Sequence, residues 1–230
     1  CFSASLTRHP NEKLINVCNM RHIVSCYNTA MLPMKVIQHF KNVDPILFSL
    51  MPSINDISIQ HSTNYFLSLC REIITQQLAG GAARAIFGRF EKLFVDEEIT
   101  PEKILSLPDQ IIRDTGASWA KVKYIKSLAQ CVVSKAIHLN KLDELSDAEV
   151  IGELIKVKGI GPWTAEMFLM FSLGREDVFS YGDLGFRHAL QKLYKFKKEP
   201  TIKQMEKITS KWSPYRTYAA LLLWNSIDTV

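Results

Sequence analysis

The stretch Leu154–Leu190, LIKVKGIGPWTAEMFLMFSLGREDVFSYGDLGFRHAL, decides how the rest of the chain is read. Its first part, Val157-Lys158-Gly159-Ile160-Gly161-Pro162-Trp163-Thr164-Ala165, predicts a tight turn between two helices. Gly159 and Gly161 permit positive φ and the close approach of another backbone. Pro162 suits the first helical turn, where a missing N–H costs nothing. Amides at such a helix start attract anions, phosphate above all. Lys156 and Lys158 add positive charge on the entering side. Together these features predict a helix–hairpin–helix that holds a phosphate backbone without reading sequence, through Gly159, Ile160, Gly161, Lys156 and Lys158. The second part supplies Asp183 just before another apolar helical run, so a carboxylate follows the phosphate anchor.

Working outward, apolar residues recur at helical spacing and no segment alternates long enough to be a strand. Between Val36 and Ser53 short helices are punctuated by Pro45 and Pro52. Asn64–Leu78 predicts a helix with Phe66, Leu69, Ile73 and Ile74 on one face, meeting Gly80-Gly81 before a second helix from Ala82. Thr100-Pro101-Glu102 is a capped helix start, Pro108 and Gly116 bracket a short helix, and Lys121–His138 carries one apolar stripe. Ser146–Glu149 and Thr201–Gln204 read as capping boxes. Pro214 opens a last helix ending near Ile227. The expected fold is all-α: a compact helical bundle over residues 36–230, preceded by a poorly patterned extension over 1–35. That extension opens on Cys1, and Met31 would be a plausible start for the helical part of the chain.

The totals bound the function without naming it. The 230 residues carry 28 Lys and Arg against 23 Asp and Glu, a net charge of +5. This is compatible with a nucleic-acid partner and insufficient to argue one. The five cysteines (Cys1, Cys18, Cys26, Cys70, Cys131) have neither metal-ligand spacing nor a disulfide framework, and the six histidines form no metal constellation. An odd, scattered set reads as reduced. No apolar run approaches a membrane span and no secretory leader is evident, so cytoplasm or nucleoid (the nucleus in a eukaryote) is the expected compartment.

The hairpin, the Gly161-Pro162 rest, Asp177-Val178-Phe179 and an aspartate opening the next helix together resemble the helix–hairpin–helix DNA glycosylase superfamily. The Lys158–Ala165 run and Trp212-Ser-Pro-Tyr-Arg-Thr-Tyr-Ala-Ala-Leu-Leu-Leu-Trp224 look like its DNA-3-methyladenine glycosylase II branch. The resemblance covers roughly residues 36–227. It implies two helical lobes with DNA and the target base between them; residues 1–35 are too short and unpatterned to form the N-terminal β-domain of some members. The implied function is base-excision repair: a monomer flips an alkylated purine of the 3-methyladenine or 7-methylguanine type from duplex DNA and hydrolyses its glycosidic bond. A noncatalytic module binding distorted DNA, or a glycosylase for deaminated or oxidised bases, is the alternative.

By the same resemblance Asp183 is the catalytic carboxylate, a role compatible with capping its helix, and Asp177 is a structural acid. In lyase members the position four after the first hairpin glycine is a lysine that forms a Schiff base; here it is Trp163, so water is the expected acceptor and no strand nicking is expected. Trp163 is either an ordinary core residue or a face for the extruded base. Trp224 would form another wall, and Met167 and Leu184 stand where relatives place further aromatics. Aromatic faces suit cationic, ring-alkylated bases. Gln77, with Leu78 as competitor, would fill the hole left by the flipped base. Arg84 and Arg89 are expected to be solvated or to face phosphate, Ser118–Lys123 to be a second phosphate contact or a surface charge run, and Arg216 to make a structural or phosphate contact. No cofactor is required for the chemistry. A sodium or potassium ion held by the carbonyls of Ile155, Val157 and Ile160 is implied, and the lack of cysteines after Cys131 argues against an iron–sulfur cluster.

Overall fold

The computed structural model of the protein describes residues 32–51, 59, 61–94 and 98–227. Cys1, Cys18, Cys26, Met31, Pro52 and nearly all of the expected N-terminal extension lie outside them. Among the described residues there is no strand, and no helix is long and apolar enough to cross a membrane. The α-helices are α1 (Met34–Val43), α2 (Pro45–Phe48), α3 (Tyr65–Thr75), α4 (Gly80–Glu91), α5 (Pro101–Ser106), α6 (Asp109–Asp114), α7 (Trp119–Val133), α8 (Asp147–Leu154), α9 (Pro162–Phe171), α10 (Leu184–Leu193), α11 (Ile202–Thr209) and α12 (Arg216–Ile227).

Most starts are set by local chemistry. Asn64, Thr100, Ser118, Asp183 and Thr201 each accept an amide of the first turn of their helices, and Ser146 and Thr201 form the two expected capping boxes. Three boundaries differ from the sequence reading. α3 ends at Thr75 rather than Leu78, because Gln76 leaves the helical region at ψ 130° and Gln77 then takes φ 55°. α4 starts at Gly80, so Gly80-Gly81 lie inside a helix rather than before one. α7 ends at Val133 because Lys135 adopts φ 59°; Ala136 and Ile137 then turn their amides back to the Cys131 carbonyl.

The helices form two groups. α3 to α7 pack on one another, the tightest pair being α5 with α7. α10 packs on α12, and α1, at the start of the described chain, returns to the Ser210–Trp212 turn and joins this second group. α9 lies between them, against α8 and α3. It is buried on nearly all sides from Thr164 to Phe171, Glu166 being only half-buried, as its largely apolar sequence demands. The loop from α9 to α10 is strapped to the start of α12: Thr217 Oγ1 donates to the Arg175 carbonyl and accepts from the Val178 amide, while Arg216 donates twice to Asp177. Arg216 is therefore structural and Asp177 is its partner. Burial pulls the Asp177 carboxyl upward, but the Arg216 and Ser213 donors outweigh it and hold the group below its ordinary range. This strap fixes where the chain re-enters α10, and so where Asp183 stands.

Candidate functional site

A cleft of about 760 Å³ opens between the two groups. One wall comes from the end of α3 and from α7 (Gln76, Gln77, Ser118, Ala120, Lys121, Tyr124), the other from Trp163, Thr164, Gly182–Gly185 and Trp224, with the hairpin residues Gly159–Gly161 at the edge. Apolar surface with a few convergent polar groups is the usual make-up of a binding cleft.

The hairpin forms where its sequence predicts, but only Gly159 uses a glycine's freedom: Gly161 caps α9 at φ −98° with nothing close to it. α8 ends at Leu154, the Val157 amide turns back to the Leu154 carbonyl, Gly159 adopts φ 97°, and Pro162 opens α9. Gly159 is required twice over. Its φ is left-handed, and a Cβ there would lie 2.2 Å from the Tyr124 ring, so the backbone rests directly on that aromatic face. Lys156 and Lys158 are both exposed, and Lys156 pairs with Glu153 one turn back. Of the three carbonyls expected to hold a monovalent cation, that of Val157 accepts the Ile160 amide at 3.1 Å, which leaves it a second lone pair.

Asp183 is 8% exposed and lines the cleft. Its Oδ1 accepts the Phe186 amide at 2.9 Å, capping α10, and the Trp224 indole N–H at 3.3 Å; its Oδ2 accepts the Trp163 indole N–H at 2.8 Å. Three neutral donors thus fix both oxygens, and among the described residues no lysine or arginine is paired with them. The capping role and the functional position coincide in one side chain.

The tryptophans do different work from the wall expected of them. Trp163 is half-buried, and besides lining the cleft it orients the carboxylate. Trp224 is buried, stacked on Phe186 at 4.4 Å and on Phe171 at 5.7 Å between ring centroids. Its faces are thus engaged by phenylalanines, and what it offers the cleft is its N–H edge. Leu184 lines the cleft. Met167 does not: it is fully buried, since α9 turns that position into the core, and the expectation that it lines a base pocket is corrected.

At the end of α3 the two glutamines separate. Gln76 donates to the Gly159 carbonyl at 3.0 Å and to Thr164 Oγ1 at 3.1 Å, tying this turn to the hairpin. Lys121 donates to the carbonyls of Ile74 and Gln76, both at 2.8 Å, which serves the C-terminal end of α3. Held from both sides, the turn presents Gln77, exposed and with φ 55°, at the cleft, whereas Leu78 does not line it. Arg84 and Arg89 are both exposed, as expected, and Arg89 also donates to the Thr115 carbonyl at 2.7 Å. Ser118 caps α7, and Lys121 serves α3, so the Ser118–Lys123 run has structural employment alongside its place on the cleft wall.

Sequence reasoning missed Tyr124 and Gly185, and saw Lys121 only as part of a charge run and Gln76 only as part of a polar helix end. For Gly185 a signal existed: a glycine at the second position of a helix, two residues after a cleft aspartate. A Cβ there would lie 2.9 Å from Asp183 Oδ1 and 3.3 Å from the Trp224 indole nitrogen. The others depend on contacts from distant segments.

Among known proteins, the family model described as HhH-GPD superfamily base excision DNA repair protein matches residues 70–214. DNA-3-methyladenine glycosylase 1 of Schizosaccharomyces pombe is 38% identical over 160 residues, covering 69% of this chain and 70% of that protein. A solved DNA-3-methyladenine glycosidase from Bacillus halodurans is 35% identical with a TM-score of 0.72, over 86% of this chain and 90% of that one. The S. pombe 3-methyladenine DNA glycosylase Mag1, solved in complex with abasic DNA, is 32% identical with a TM-score of 0.76, over 86% and 98% of the respective chains.

Proposed function

We propose that this chain, which belongs to the HhH-GPD superfamily of base excision DNA repair proteins, releases alkylated purines from duplex DNA by hydrolysing the N-glycosidic bond. The observation that carries the reading is Asp183: a carboxylate without a cationic partner among the described residues, held by two indoles and an amide, facing a cleft beside a phosphate-type hairpin. The duplex backbone lies on the hairpin turn at Gly159–Gly161, with Lys156 and Lys158 beside it, and on the first-turn amides of α9. Gln77 enters the space vacated when the damaged nucleotide turns into the cleft. A sodium or potassium ion at the carbonyls of Ile155, Val157 and Ile160 would add positive charge next to that phosphate.

In the cleft the glycosidic bond breaks with its electron pair leaving on the base. A purine alkylated at a ring nitrogen is cationic and departs neutral, so no general acid is needed. The sugar becomes oxocarbenium-like, and the fixed Asp183 oxygens stabilise that positive charge. Water adds at C1′ and gives up a proton toward the carboxylate, leaving an abasic site. The face of Trp163 suits a cationic base. Trp163 also stands where an amine nucleophile would be needed for lyase chemistry, so the enzyme hydrolyses without nicking the strand. One hairpin engages one duplex, and the working unit is a monomer.

Incubation with methylated duplex DNA tests this, with released bases and strand breaks scored separately. Release of methylated purines without nicking is expected. Binding without release would move the reading to a noncatalytic module, and release with nicking would defeat the monofunctional mechanism.

A further inference from the structure

Charge is spread unevenly along this chain. Residues 192–211, from the last turn of α10 through α11 to the turn before α12, carry seven lysines and two glutamates, a balance of +5 that equals the net charge of the whole protein. The rest of the chain is electrically even. Lys192, Lys195, Lys197, Lys198, Lys203 and Lys207 are all exposed, and among the described residues none of them is ion-paired. Lys211 is paired with Asp44 and Glu199 with Arg187, so of the acids in the run only Glu206 is left to offset them. Lys192 and Lys207 stand in the last turns of their helices, where a cation meets the helix dipole. Lys195, Lys197 and Lys198 lie in the loop between those helices and have no such employment. Lys195 even holds φ 55°, a left-handed conformation that glycine adopts at less cost.

This basic run is stitched to the part of the chain that presents Asp183. Arg187 donates to the Tyr181 carbonyl and to Glu199, both at 3.1 Å, and the Tyr181 and Thr209 hydroxyls are 2.8 Å apart. α10 spans the way from Asp183 to Lys192, about 14 Å at the rise of an α-helix, which is about four base pairs of duplex. None of the lysines lines the cleft or belongs to the hairpin. Closely spaced, unpaired ammonium groups on an open surface fit a polyanion that is met by charge rather than by shape. We propose that residues 192–211 form a second phosphate-backbone surface, on which Lys195, Lys197 and Lys198 hold intact duplex flanking the cleft, independently of the hairpin and of base sequence. This surface rests on the base-excision reading of the cleft and adds a duty to it. The hairpin and Asp183 act at the damaged nucleotide, while the lysine surface keeps the protein on undamaged DNA.

The test is the salt dependence of binding to undamaged duplex, read by fluorescence anisotropy. It compares wild type, the glutamine triple Lys195→Gln/Lys197→Gln/Lys198→Gln, the arginine triple Lys195→Arg/Lys197→Arg/Lys198→Arg, and Lys195→Gly. Each phosphate contact contributes about 0.9 to the slope of log affinity against log salt, so the glutamine triple should show a slope shallower by about two to three and bind about ten-fold more weakly at low salt. The arginine triple should keep the wild-type slope. Lys195→Gly should lose about one unit of slope while melting no lower than wild type, which separates lost charge from lost fold. A wild-type slope in the glutamine triple, or an arginine triple that loses as much, would overturn the surface. So would a glutamine triple unaffected on DNA but no longer retained by vesicles of anionic phospholipid, since the partner would then be a membrane. Base release by the wild type, scored on methylated duplex in the same series, keeps two failures apart. Release with an unaltered slope in the glutamine triple sinks the surface alone, whereas a wild type that neither binds nor releases sinks the glycosylase reading beneath it.

Discussion

Two aspartates at the two ends of α10, Asp183 at its start and Asp44 against Tyr194 at its close, are built alike and put to different uses. Asp44 and Asp183 are both nearly buried, both cap a helix through the amide three residues on, and both accept a tryptophan N–H at 2.8 Å. Asp44 takes its remaining donors from the Tyr194 hydroxyl and from Lys211 Nζ at 2.9 Å, and so ends in an ion pair that ties α2 to the Ser210–Trp212 turn. Asp183 takes only a second indole and opens onto the cleft. The same capping chemistry gives a staple where a cation closes it and a reactive carboxylate where none does. Neutral donors fix geometry while leaving the negative charge available to a developing cation.

The staple should break hardest. Asp44→Ala removes four donors' common acceptor and strands the indole of Trp212, so a loss of about 3 kcal/mol in denaturant unfolding is expected. Burial raises the Asp44 pKa, yet the donors from Tyr194, Trp212, Lys211 and Leu47 outweigh it and hold the group below its ordinary range. A depressed carboxyl stabilises the fold above its unfolded pKa. That contribution therefore fades as pH falls through the folded value, and wild type and Asp44→Ala should converge in acid. Convergence at pH 8 instead would show that the donors do not set its charge.

Glu72 on α3 sharpens the contrast from the other side. It is buried, and burial pushes its carboxyl up to about 7, the neighbouring Arg71 offsetting this only in part. A raised carboxyl favours the fold below its unfolded pKa and costs stability as pH climbs through the folded value. Glu72→Gln should then stabilise by up to about 3 kcal/mol at pH 8 and have much less effect at pH 4. Thermal melts across that range check it; a pH-independent difference would refute it.

Smaller effects probe the reactive carboxylate. Gly185→Ala inserts a Cβ 2.9 Å from Asp183 Oδ1, so either the carboxylate or the Trp224 indole must shift. Base release should fall about ten-fold with the melting temperature nearly unchanged, since α10 gains a better helix former. Gln77→Gly relieves a left-handed non-glycine residue, φ 55°, and should stabilise by about 0.5–1 kcal/mol while slowing base release. Faster release in that variant would remove Gln77 from the role of filling the opened duplex.

The sequence carried what is local. The hairpin turn, Gly159 and Pro162, both capping boxes and the cap at Asp183 depend on residues within four positions of one another, and each stands where the chain predicts it. Gly161, by contrast, takes an ordinary extended φ of −98° with open space around it. The resemblance supplied the cleft position of Asp183. What stayed hidden depends on contacts across the chain. The Trp224 indole reaches Asp183 from 41 residues away, Gln76 reaches Gly159 from 83 away, and Tyr124 lies under Gly159 only because α7 packs against the hairpin. Met167 escapes prediction because α9 is apolar apart from Thr164 and Glu166, so no clear period marks which face meets the cleft. The end of α3 escapes it because Gln77 carries a conformation that residue type does not announce.

The most direct measurement is single-turnover release of methylated purine by Asp183→Asn, with its thermal midpoint and its affinity for abasic duplex recorded on the same preparation. Asparagine keeps the cap to Phe186 and loses the charge. Release at least about a hundred-fold slower is predicted, with folding and binding close to wild type. Release at the wild-type rate would contradict the catalytic role, because the carboxylate held by Trp163 and Trp224 would then be a second staple like Asp44 and not the group that does the chemistry.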